Sequence, residues 1–363
     1  MRRILIVCVM FLAACAPRGE LGFAQAPEPG RPIFVGTTRN FDPVTGDPTG
    51  TDRSPGLGLA RYDVAVPPGH QPGQISYAKP NQPPDPARDF VVTGRARYPE
   101  AKAFRTDLAQ EIARNGGEAV VFVHGYNTNF AEGLYRLAQL GADFDLPGVL
   151  VHYAWPSRAQ VMGYPYDRDS ALFARDGFQE LLEELRRAGA QRILLVSHSM
   201  GGALTMETLR QMAISADSET LSRISGLILI SPDLDVDVFR AQVARMPKLP
   251  EPFVIFTSQK DKALRLSGWI SGEPARLGNL QDVSELADIR VTVIDTGAFS
   301  TREGHFNVGN SPALIAMLNR SGQVAAVLEG DRTGQPGLLP MAVLTVQNAT
   351  QIVLKPVVNL GGG

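Results

Sequence analysis

The chain has 363 residues, of which 44% are hydrophobic, and a formal net charge of −2. Such a chain can bury a full hydrophobic core, and its length suits one α/β domain. The charge is near zero and no basic run occurs, so nucleic acid is not an expected partner. Both cysteines, Cys8 and Cys15, lie in the first 15 residues, which excludes an internal disulfide and a zinc-thiolate site from the rest of the chain.

The N-terminus has the features of an export signal. Two arginines precede an apolar stretch over residues 4–14, which is typical of a signal peptide and too short for a permanent membrane span. The stretch ends in Leu-Ala-Ala-Cys, a pattern that resembles a bacterial lipobox with Cys15 as the acylated residue. A cut after Ala26 is the alternative. We therefore expect a signal peptide over residues 1–14 and a lipid-anchored envelope protein, in the outer membrane if the source is Gram-negative.

Past the leader, the sequence predicts a tether and then one folded domain. Residues 15–32 contain Pro, Gly, Ala and Glu without periodicity, which predicts an extended and mobile tether. Short apolar runs in the domain, residues 33–322, predict strands at 33–37, 57–66, 90–98, 119–123, 148–153, 192–196, 226–230, 253–256 and 290–294. Helical periodicity between them predicts helices at 101–114, 130–140, 170–187, after residue 199 and at 312–319. This alternation is typical of an α/β fold, a doubly wound and mostly parallel sheet with helices on both faces.

Two further segments are less regular. Residues 266–280 are interpreted as a loop-like insertion, containing Trp269 and Ile270, that is a candidate cover for a site. The tail, residues 323–363, contains two β-rich runs at 341–346 and 351–354 and is a candidate hairpin or a partly disordered end. Polar residues interrupt the tail, which excludes a membrane span there.

A buried strand and a helix meet at a tight turn. The strand is followed by Ser197-His-Ser-Met-Gly201 and then by a helical pattern. Strand, serine-bearing turn and helix predict a nucleophile elbow with Ser199 at its apex. Such a turn needs small flanking residues: Gly201 and Gly202 satisfy this need, and Ser197 stands where glycine is usual. The alternative is an ordinary strand–helix junction with a capping serine.

Seven short motifs follow one another along the domain. They are Phe34-Val-Gly-Thr-Thr-Arg39, Val121-Phe-Val-His-Gly-Tyr-Asn127, Ala154-Trp-Pro-Ser157 with Tyr166-Asp-Arg168, Ser197-His-Ser-Met-Gly201, Ser231-Pro-Asp-Leu-Asp235, Thr257-Ser-Gln-Lys-Asp261 and Gly304-His305. On these motifs the chain resembles the α/β-hydrolase superfamily, and more narrowly a bacterial branch catalogued as a domain of unknown function. The resemblance implies a doubly wound fold and serine hydrolase chemistry of the esterase or lipase kind.

A serine nucleophile needs a base, and His305 is the expected one. It follows the last predicted strand of the domain, where the order of motifs places the base. The other four histidines fit other roles. His70 sits in a proline-rich loop, His124 should brace the loop after its strand, His152 lies within a strand, and His198 should point away from the nucleophile.

Three aspartates compete to orient that base. Asp261 follows one strand and precedes His305, which gives the order Ser, Asp, His expected of this fold. Asp233 follows the preceding strand and is the alternative acid, although it and Asp235 also suit caps for a helix near residue 236. Asp295 ends a strand and also suits the start of a turn. We favour Asp261.

Two backbone N–H groups are expected to hold the oxyanion. One belongs to Met200, the residue after the nucleophile. Resemblance to the His-Gly-X loops of lipases gives Tyr126 as the second, with Asn127 as the alternative. Candidates to line an acyl or alcohol pocket are Tyr126, Trp155, Trp269 and Phe306, and Arg265 and Arg276 are candidates to bind an acidic group there. Aromatic residues are more often core and arginines more often solvated, so each of these has a plain structural alternative.

Together these residues predict a lipid-anchored serine hydrolase that cleaves a carboxylic ester through an acyl-enzyme. The expected substrate is a small-molecule or lipid-like ester, and the chemistry needs no metal or organic cofactor. An acyltransferase, a thioesterase or a peptidase would use the same atoms, so the sequence does not separate these reactions. An envelope lipoprotein that uses the fold only for binding is the non-enzymatic alternative.

Overall fold

The computed structural model describes residues 18–272, 275–300, 304–320 and 341–354. The predicted signal peptide and the predicted lipidation site at Cys15 lie outside these ranges, as do residues 321–340 and 355–363. None of the helices within the described ranges combines the length and the hydropathy of a membrane span.

A sheet of eleven strands forms the centre of the described structure. The strands are β1 (Arg31–Arg39), β2 (Arg53–Ala65), β3 (Val91–Tyr98), β4 (Glu118–Val123), β5 (Val149–Ala154), β6 (Arg192–His198), β7 (Ile224–Ile230), β8 (Phe253–Thr257), β9 (Val291–Asp295), β10 (Met341–Val346) and β11 (Ala349–Leu354). Across the sheet they are ordered β10-β11-β9-β8-β7-β6-β4-β5-β1-β2-β3. Strands β1, β4 to β9 and β11 pair in parallel, and the pairs β1–β2, β2–β3 and β10–β11 are antiparallel. The mostly parallel sheet confirms the predicted fold class.

Helices cover both faces of this sheet. Those in the described ranges are α1 (Ala101–Arg114), α2 (Phe130–Asp143), α3 (Tyr164–Arg187), α4 (Met200–Ile214), α5 (Ser218–Leu221), α6 (Val236–Val243), α7 (Lys262–Ser271), α8 (Asn307–Asn310) and α9 (Pro312–Arg320). Side chains of α1, α3, α4 and α6 join one buried cluster, and those of α2 and α9 join another. Successive residues of β4 point alternately into the two clusters, because side chains alternate along a strand. The central strands are therefore apolar on both faces.

The neighbouring strands β4 and β6 form a switch point. After β4 the chain passes through α2 to β5, on one side of β4, and after β6 it passes through α4 to β7, on the other side. In open α/β sheets, ligands bind beyond the carboxyl ends of strands where the connections diverge in this way. Two segments meet at this point, namely residues 124–129 after β4 and the turn that carries Ser199 after β6.

Two helices differ from the sequence-based expectation. Helix α3 begins at Tyr164 rather than near residue 170, with Pro165 in its first turn, where proline is well tolerated. The prediction of a loop over residues 266–280 is wrong for its first part, because α7 extends to Ser271. The N-cap of α7 is Asp261, whose side chain accepts the N–H of Leu264.

Residues 18–30 lie against the domain in the described structure, whereas their composition predicted an extended tether. The N–H of Gly22 donates to Tyr135 Oη at 2.9 Å, and Asn129 Nδ2 donates to the carbonyl oxygen of Gly19 at 2.8 Å. These bonds are made to residues more than 100 positions away. Local composition carries no signal for such contacts, which is why the sequence did not predict them.

The two β-rich runs of the tail pair as a hairpin. β10 and β11 are antiparallel and joined through Gln347, whose φ is 51°. β11 also pairs in parallel with β9. The candidate hairpin of the sequence analysis is therefore present, and it extends the main sheet.

Candidate active site

Ser199 lies in the turn between β6 and α4 with φ 53° and ψ −123°. Residues other than glycine rarely occupy such a region, which costs about 1–3 kcal/mol and persists only where the surroundings hold it. The N–H of Ser199 donates to the Ile230 carbonyl at 3.0 Å, and the Ser199 carbonyl accepts the N–H of Asp233 at 3.1 Å. A Cβ on Gly201 would lie 2.4 Å from the carbonyl oxygen of His124, so a side chain does not fit there. This geometry has the features of a nucleophile elbow.

Ser197, which stands where glycine is usual, fits without an unpaired hydroxyl. It is buried, and its Oγ lies 2.7 Å from Thr205 Oγ1 in α4. The Thr205 hydroxyl donates to the carbonyl oxygen of Gly201 at 2.9 Å, so the proton shared with Ser197 comes from Ser197. The extra hydroxymethyl therefore joins β6 to α4.

Asp261 and His305 meet beyond the carboxyl ends of β8 and β9. His305 Nδ1 lies 2.7 Å from Asp261 Oδ2, and Asp261 Oδ1 accepts the N–H of Leu264 at 2.9 Å. Asp261 is fully buried, whereas 17% of the His305 side chain is exposed. A carboxylate at this position favours the tautomer with the proton on Nδ1, which leaves His305 Nε2 as an acceptor.

The His305 ring packs beside the turn that carries Ser199. Its centroid is 4.7 Å from that of His198, and the Phe306 ring is 4.4 Å from the same His198 ring. His198 was expected only to point away from the nucleophile; its ring also packs against the ring of the proposed base. The hydrogen bond described for the His305 side chain goes to Asp261 and not to Ser199. The bond between a base and its nucleophile often tightens only when substrate is bound.

His198 stays neutral in this position. Burial lowers the pKa of His198 well below its usual value, and the charges of His305 and Arg136 lower it further. Its Nε2 has no hydrogen-bond partner among the described residues. A neutral His198 does not repel His305 when the latter takes up a proton.

Asp233, the alternative acid, is engaged elsewhere. Its carboxylate accepts hydrogen bonds from Tyr164 Oη and Ser267 Oγ, both at 2.9 Å, and lies 3.4 Å from Nε of Arg276. Arg276 was a candidate to bind an acidic group, with solvated surface as the favoured alternative; it is buried beside this carboxylate of the chain itself. The structure thus brings Asp261, rather than Asp233, to His305.

Asp235 and Asp295 have local backbone roles. Asp235 accepts the N–H of Val238 at 3.0 Å and caps α6. Asp295 accepts the N–H of Gly297 at 2.8 Å. A helix cap and a turn residue were the structural interpretations of these two aspartates, and both are confirmed.

The loop after β4 lies directly against the elbow. A Cβ on Gly125 would be 2.9 Å from Ser199 Cβ, so the loop can lie this close to Ser199 only with glycine at position 125. The N–H of Asn127, which was the alternative oxyanion donor, donates to Asp167 Oδ2 at 3.2 Å. This N–H is therefore already engaged. Within the described ranges, no acceptor is assigned to the N–H of Tyr126 or of Met200, the two predicted donors. Met200 also opens α4, and a helix N-terminus favours negative charge.

Three buried side chains, Asp167, Ser157 and Arg39, brace this loop; we name them the loop brace. Asp167 accepts the Ser157 hydroxyl at 2.6 Å as well as the Asn127 N–H. Ser157 Oγ accepts the N–H of Thr128 at 3.3 Å, and Arg39 Nη2 donates to the Thr128 carbonyl at 2.9 Å. The loop brace therefore fixes the backbone of Asn127 and Thr128, the two residues that follow the predicted donor Tyr126.

Burial sets the ionisation of the loop brace. It raises the pKa of Asp167, against the opposing effect of its hydrogen bonds and of Arg39. It lowers the pKa of Arg39 to about 10, although the charge of Asp167 acts in the other direction. All three residues lie in motifs that carry the family resemblance, but no role was predicted for them from the sequence. For Arg39 and Ser157, a polar residue within four positions of the end of a predicted strand was the available signal.

The remaining candidates divide between core and surface. His124 Nδ1 lies 2.9 Å from the Gly125 carbonyl oxygen and its Nε2 lies 3.1 Å from the Trp155 carbonyl oxygen, which confirms that His124 braces its loop. His152 is buried within β5. Trp155 is fully buried and donates from Nε1 to the His124 carbonyl, so it is a core residue. Trp269 is 79% exposed and lies at the surface.

Several known structures resemble this chain at low similarity. Lipase B of Aspergillus fumigatus is similar at 16% identity with a TM-score of 0.38, over 62% of this chain and 57% of that chain, so the chain spans little more than half of that lipase. A hyperthermophilic esterase of Pyrobaculum calidifontis is similar at 12% identity with a TM-score of 0.32, over 64% and 94% of the two chains. A thermophilic esterase of Thermogutta terrifontis with propionate bound is similar at 13% identity with a TM-score of 0.34, over 77% and 92%.

Sequence comparison gives a family. No curated protein matches the chain. The family described as alpha/beta hydrolase of unknown function (DUF900) matches residues 100–320, which is more than half of the chain. This range includes the elbow, the loop after β4, and both Asp261 and His305. The chain belongs to the DUF900 family of α/β-hydrolases.

Proposed function

We propose that this chain is a serine hydrolase that cleaves carboxylic esters, with Ser199 as the nucleophile, His305 as the base and Asp261 as the acid that orients it. The observation that carries the proposal is the 2.7 Å contact between His305 Nδ1 and Asp261 Oδ2, next to a serine held at φ 53°. A base with a fixed tautomer beside a serine on a strained turn is the arrangement that acyl transfer needs.

In the acylation step, His305 Nε2 takes the proton of the Ser199 hydroxyl while Oγ attacks the ester carbonyl carbon. The negative charge that forms on the carbonyl oxygen is held by the N–H groups of Met200 and Tyr126. Loss of one such donor typically costs about 10²–10³ in kcat. The imidazolium of His305 then gives its proton to the departing alkoxide, which leaves the acyl group on Ser199.

In the deacylation step, His305 activates water by taking one of its protons. The hydroxide attacks the acyl carbon, the Ser199–acyl bond breaks, and the proton returns to Oγ. Asp261 keeps the ring oriented throughout and stabilises the imidazolium that forms in each half-reaction. His198 contributes by remaining neutral beside it.

We also propose that the mature chain begins at Cys15 and is anchored in the cell envelope by acyl chains on that residue. The support is the lipobox pattern after a short apolar stretch. Two or three acyl chains suffice for stable anchoring, because a single chain gives only marginal binding. Intact-mass measurement of the chain from its native host would test this assignment: added acyl mass supports it, and a free N-terminus at another position contradicts it.

The test of the hydrolase proposal is a panel of acyl esters, thioesters and peptides, with Ser199→Ala compared to Ser197→Gly. Removal of the nucleophile should lower ester turnover by at least about 10⁴-fold. Ser197→Gly is a matched control, because it alters a serine two positions away and restores the usual elbow residue. Equal turnover in wild type and Ser199→Ala would contradict the proposal. A preference for thioesters, peptides or an acyl acceptor other than water would reassign the reaction while keeping the triad.

A further inference from the structure

The first described residue is held beside the candidate active site. Arg18 Nη1 donates to Asn127 Oδ1 at 3.0 Å, and Arg18 Nη2 donates to the Asn127 carbonyl oxygen at 2.8 Å. Arg18 also forms an ion pair with Glu132 in α2. Asn127 directly follows Tyr126, the proposed oxyanion donor. The chain therefore enters the described structure at the loop that faces Ser199.

The proposed lipid anchor is close to this point in the sequence. Cys15 precedes Arg18 by three residues, and three residues span at most about 11 Å. Acyl chains on Cys15 lie in the bilayer, so the Arg18 contact would hold the loop after β4 within roughly 11 Å of the headgroup level. A long free tether would impose no such orientation.

Exposed apolar side chains lie in two segments, the residues just before α3 and helix α7. Met162 is 90% exposed, Trp269 79%, Val161 63%, Leu266 53% and Ile270 47%. Leu266, Trp269 and Ile270 share one face of α7, because residues three and four apart are neighbours on a helix. We name these five residues the apolar rim. Clusters of exposed apolar side chains mark interaction surfaces more often than isolated ones do.

Contacts connect the apolar rim to the active site and to Arg18. Tyr126 Oη donates to the carbonyl oxygens of Gln160, at 3.2 Å, and of Val161. The Tyr126 ring packs edge to face on Tyr164, with centroids 5.4 Å apart. Tyr164 and Ser267 of α7 both donate to the Asp233 carboxylate. Residues 160–164 therefore lie beside the loop after β4, and α7 is joined to Tyr164 through Asp233.

We propose that the apolar rim docks on a lipid bilayer, so that the candidate active site opens toward the membrane that holds the anchor. Tryptophan is favoured at the headgroup level, and apolar residues on one face of a helix can enter the acyl boundary. The inference rests on the proposed lipidation of Cys15, but it does not depend on the reaction at Ser199. With the site facing the membrane, the substrate class of the proposed hydrolase would be esters that lie in the bilayer.

The two tryptophans of the chain provide a direct test. Trp155 is fully buried, so lipid quenchers can reach only Trp269. The full lipidated chain is reconstituted into phosphatidylethanolamine–phosphatidylglycerol vesicles with ordinary or brominated acyl chains, and flotation verifies binding. Brominated vesicles should quench the emission of the wild type, and Trp269→Phe should lose that quenching. Ser199→Ala should be quenched like the wild type, because this readout is independent of catalysis.

A second pair of variants separates the apolar rim from general exposure. Leu266→Ser combined with Ile270→Ser should reduce the quenching of Trp269, because the face enters the bilayer less deeply. Ile214→Ser is the matched control: Ile214 is 58% exposed but lies at the far end of α4 from the elbow, about 20 Å along a helix of this length. It should leave the quenching unchanged.

Three results would overturn the inference. One is equal Trp269 emission in brominated and ordinary vesicles while the chain floats with them. Another is a Trp269 emission that shifts with protein concentration in the absence of bromine quenching, which would indicate that a second copy covers the apolar rim. The third is a full chain that does not float with the vesicles. A chain that is quenched but hydrolyses no ester would instead retain this inference and refute the proposed reaction.

Discussion

The carboxylate of Asp261 holds two groups at once: Oδ2 lies 2.7 Å from His305 Nδ1, and Oδ1 accepts the N–H of Leu264 at 2.9 Å. The same side chain therefore caps α7 and orients the proposed base. Because the bond to the Leu264 N–H fixes Oδ1, Oδ2 is the oxygen that faces the Nδ1 of the imidazole. This geometry links the start of a helix to the orientation and tautomer of a histidine 44 residues away.

Asp261→Asn separates these two functions. Asparagine is a good helix cap, so Oδ1 should keep the Leu264 bond and stability should change little. Its Nδ2 would then face His305 Nδ1 as a donor and favour the wrong tautomer, which we expect to lower kcat by about 10⁴-fold. Steady-state kinetics and thermal unfolding of the same preparation measure both effects. Asp233→Asn is the comparison: a larger loss of turnover there than in Asp261→Asn would make Asp233 the acid.

Gly125→Ala should disrupt the contact between the loop after β4 and the elbow. The new Cβ would lie 2.9 Å from Ser199 Cβ and 2.6 Å from His198 Nδ1, so loop or serine must move. Misplacement of an oxyanion donor by about 1 Å costs on the order of 10²-fold in turnover. Gly56→Ala is the control, since its Cβ would meet nothing within 4 Å. Unchanged kcat in Gly125→Ala would show that the loop takes no part in the reaction.

Asp167→Asn tests the loop brace. Asp167 Oδ2 accepts hydrogen bonds from Asn127 and Ser157, and Oδ1 accepts the N–H of Arg158 at 2.7 Å. An amide nitrogen in place of either oxygen would therefore face a donor. A buried donor without a partner costs about 1–3 kcal/mol of stability. We expect kcat to fall by about 10- to 100-fold with a smaller change in KM, because the loop contributes mainly in the transition state.

The control for the loop brace is Asp176→Asn in the same helix, where the aspartate side chain is 73% exposed. It should leave kcat unchanged. If Asp167→Asn lowers stability but keeps the wild-type kcat in the folded fraction, the loop brace is structural only.

Acid should destabilise the fold through three buried histidines. Burial lowers the pKa of His152 to about 3 and the pKa values of His124 and His198 well below their usual value. The unfolded chain therefore binds protons first as pH falls below about 6.5, so stability is complete above that pH and declines below it. Each histidine contributes a decline of about 1.4 kcal/mol per pH unit until its folded pKa is reached.

Urea unfolding at pH 7.5, 6 and 5 measures this slope. The comparison stops at pH 5 because most carboxylates titrate below it. We expect the free energy of unfolding to decrease steadily from pH 6.5 to pH 5. A constant value over this interval would mean that these histidines are not buried as neutral groups.

The order of motifs in the resemblance paired Asp261 with His305, and these two side chains lie in contact. Local patterns were enough to predict the tight turn at Ser199 and most of the strands and helices along the chain. These features depend on strand and helix periodicity and on tight turns, all of which are encoded within a few neighbouring residues. The contact of His198 with His305 and the bonds of Asp167, Ser157 and Arg39 join distant segments, and residue spacing does not encode them.

The same distinction explains two errors. Residues 18–30 resemble a free tether by composition, yet Gly22 bonds to Tyr135 and Arg18 to Asn127. Helix α7 was interpreted as a loop because its serine and glycine content conceals the buried positions Leu264, Ser267 and Gly268. In both cases the partner surface, rather than the local sequence, determines the conformation.

The most direct test of the proposed nucleophile is a fluorophosphonate probe applied to the folded chain, with the modified residue located by peptide mass spectrometry. We predict one phosphonyl group per chain, attached to Ser199, and a strongly reduced labelling rate in His305→Gln because the hydroxyl then lacks its base. A folded chain that remains unlabelled, or that is labelled equally fast in Ser199→Ala, would contradict the proposal that Ser199 is the nucleophile.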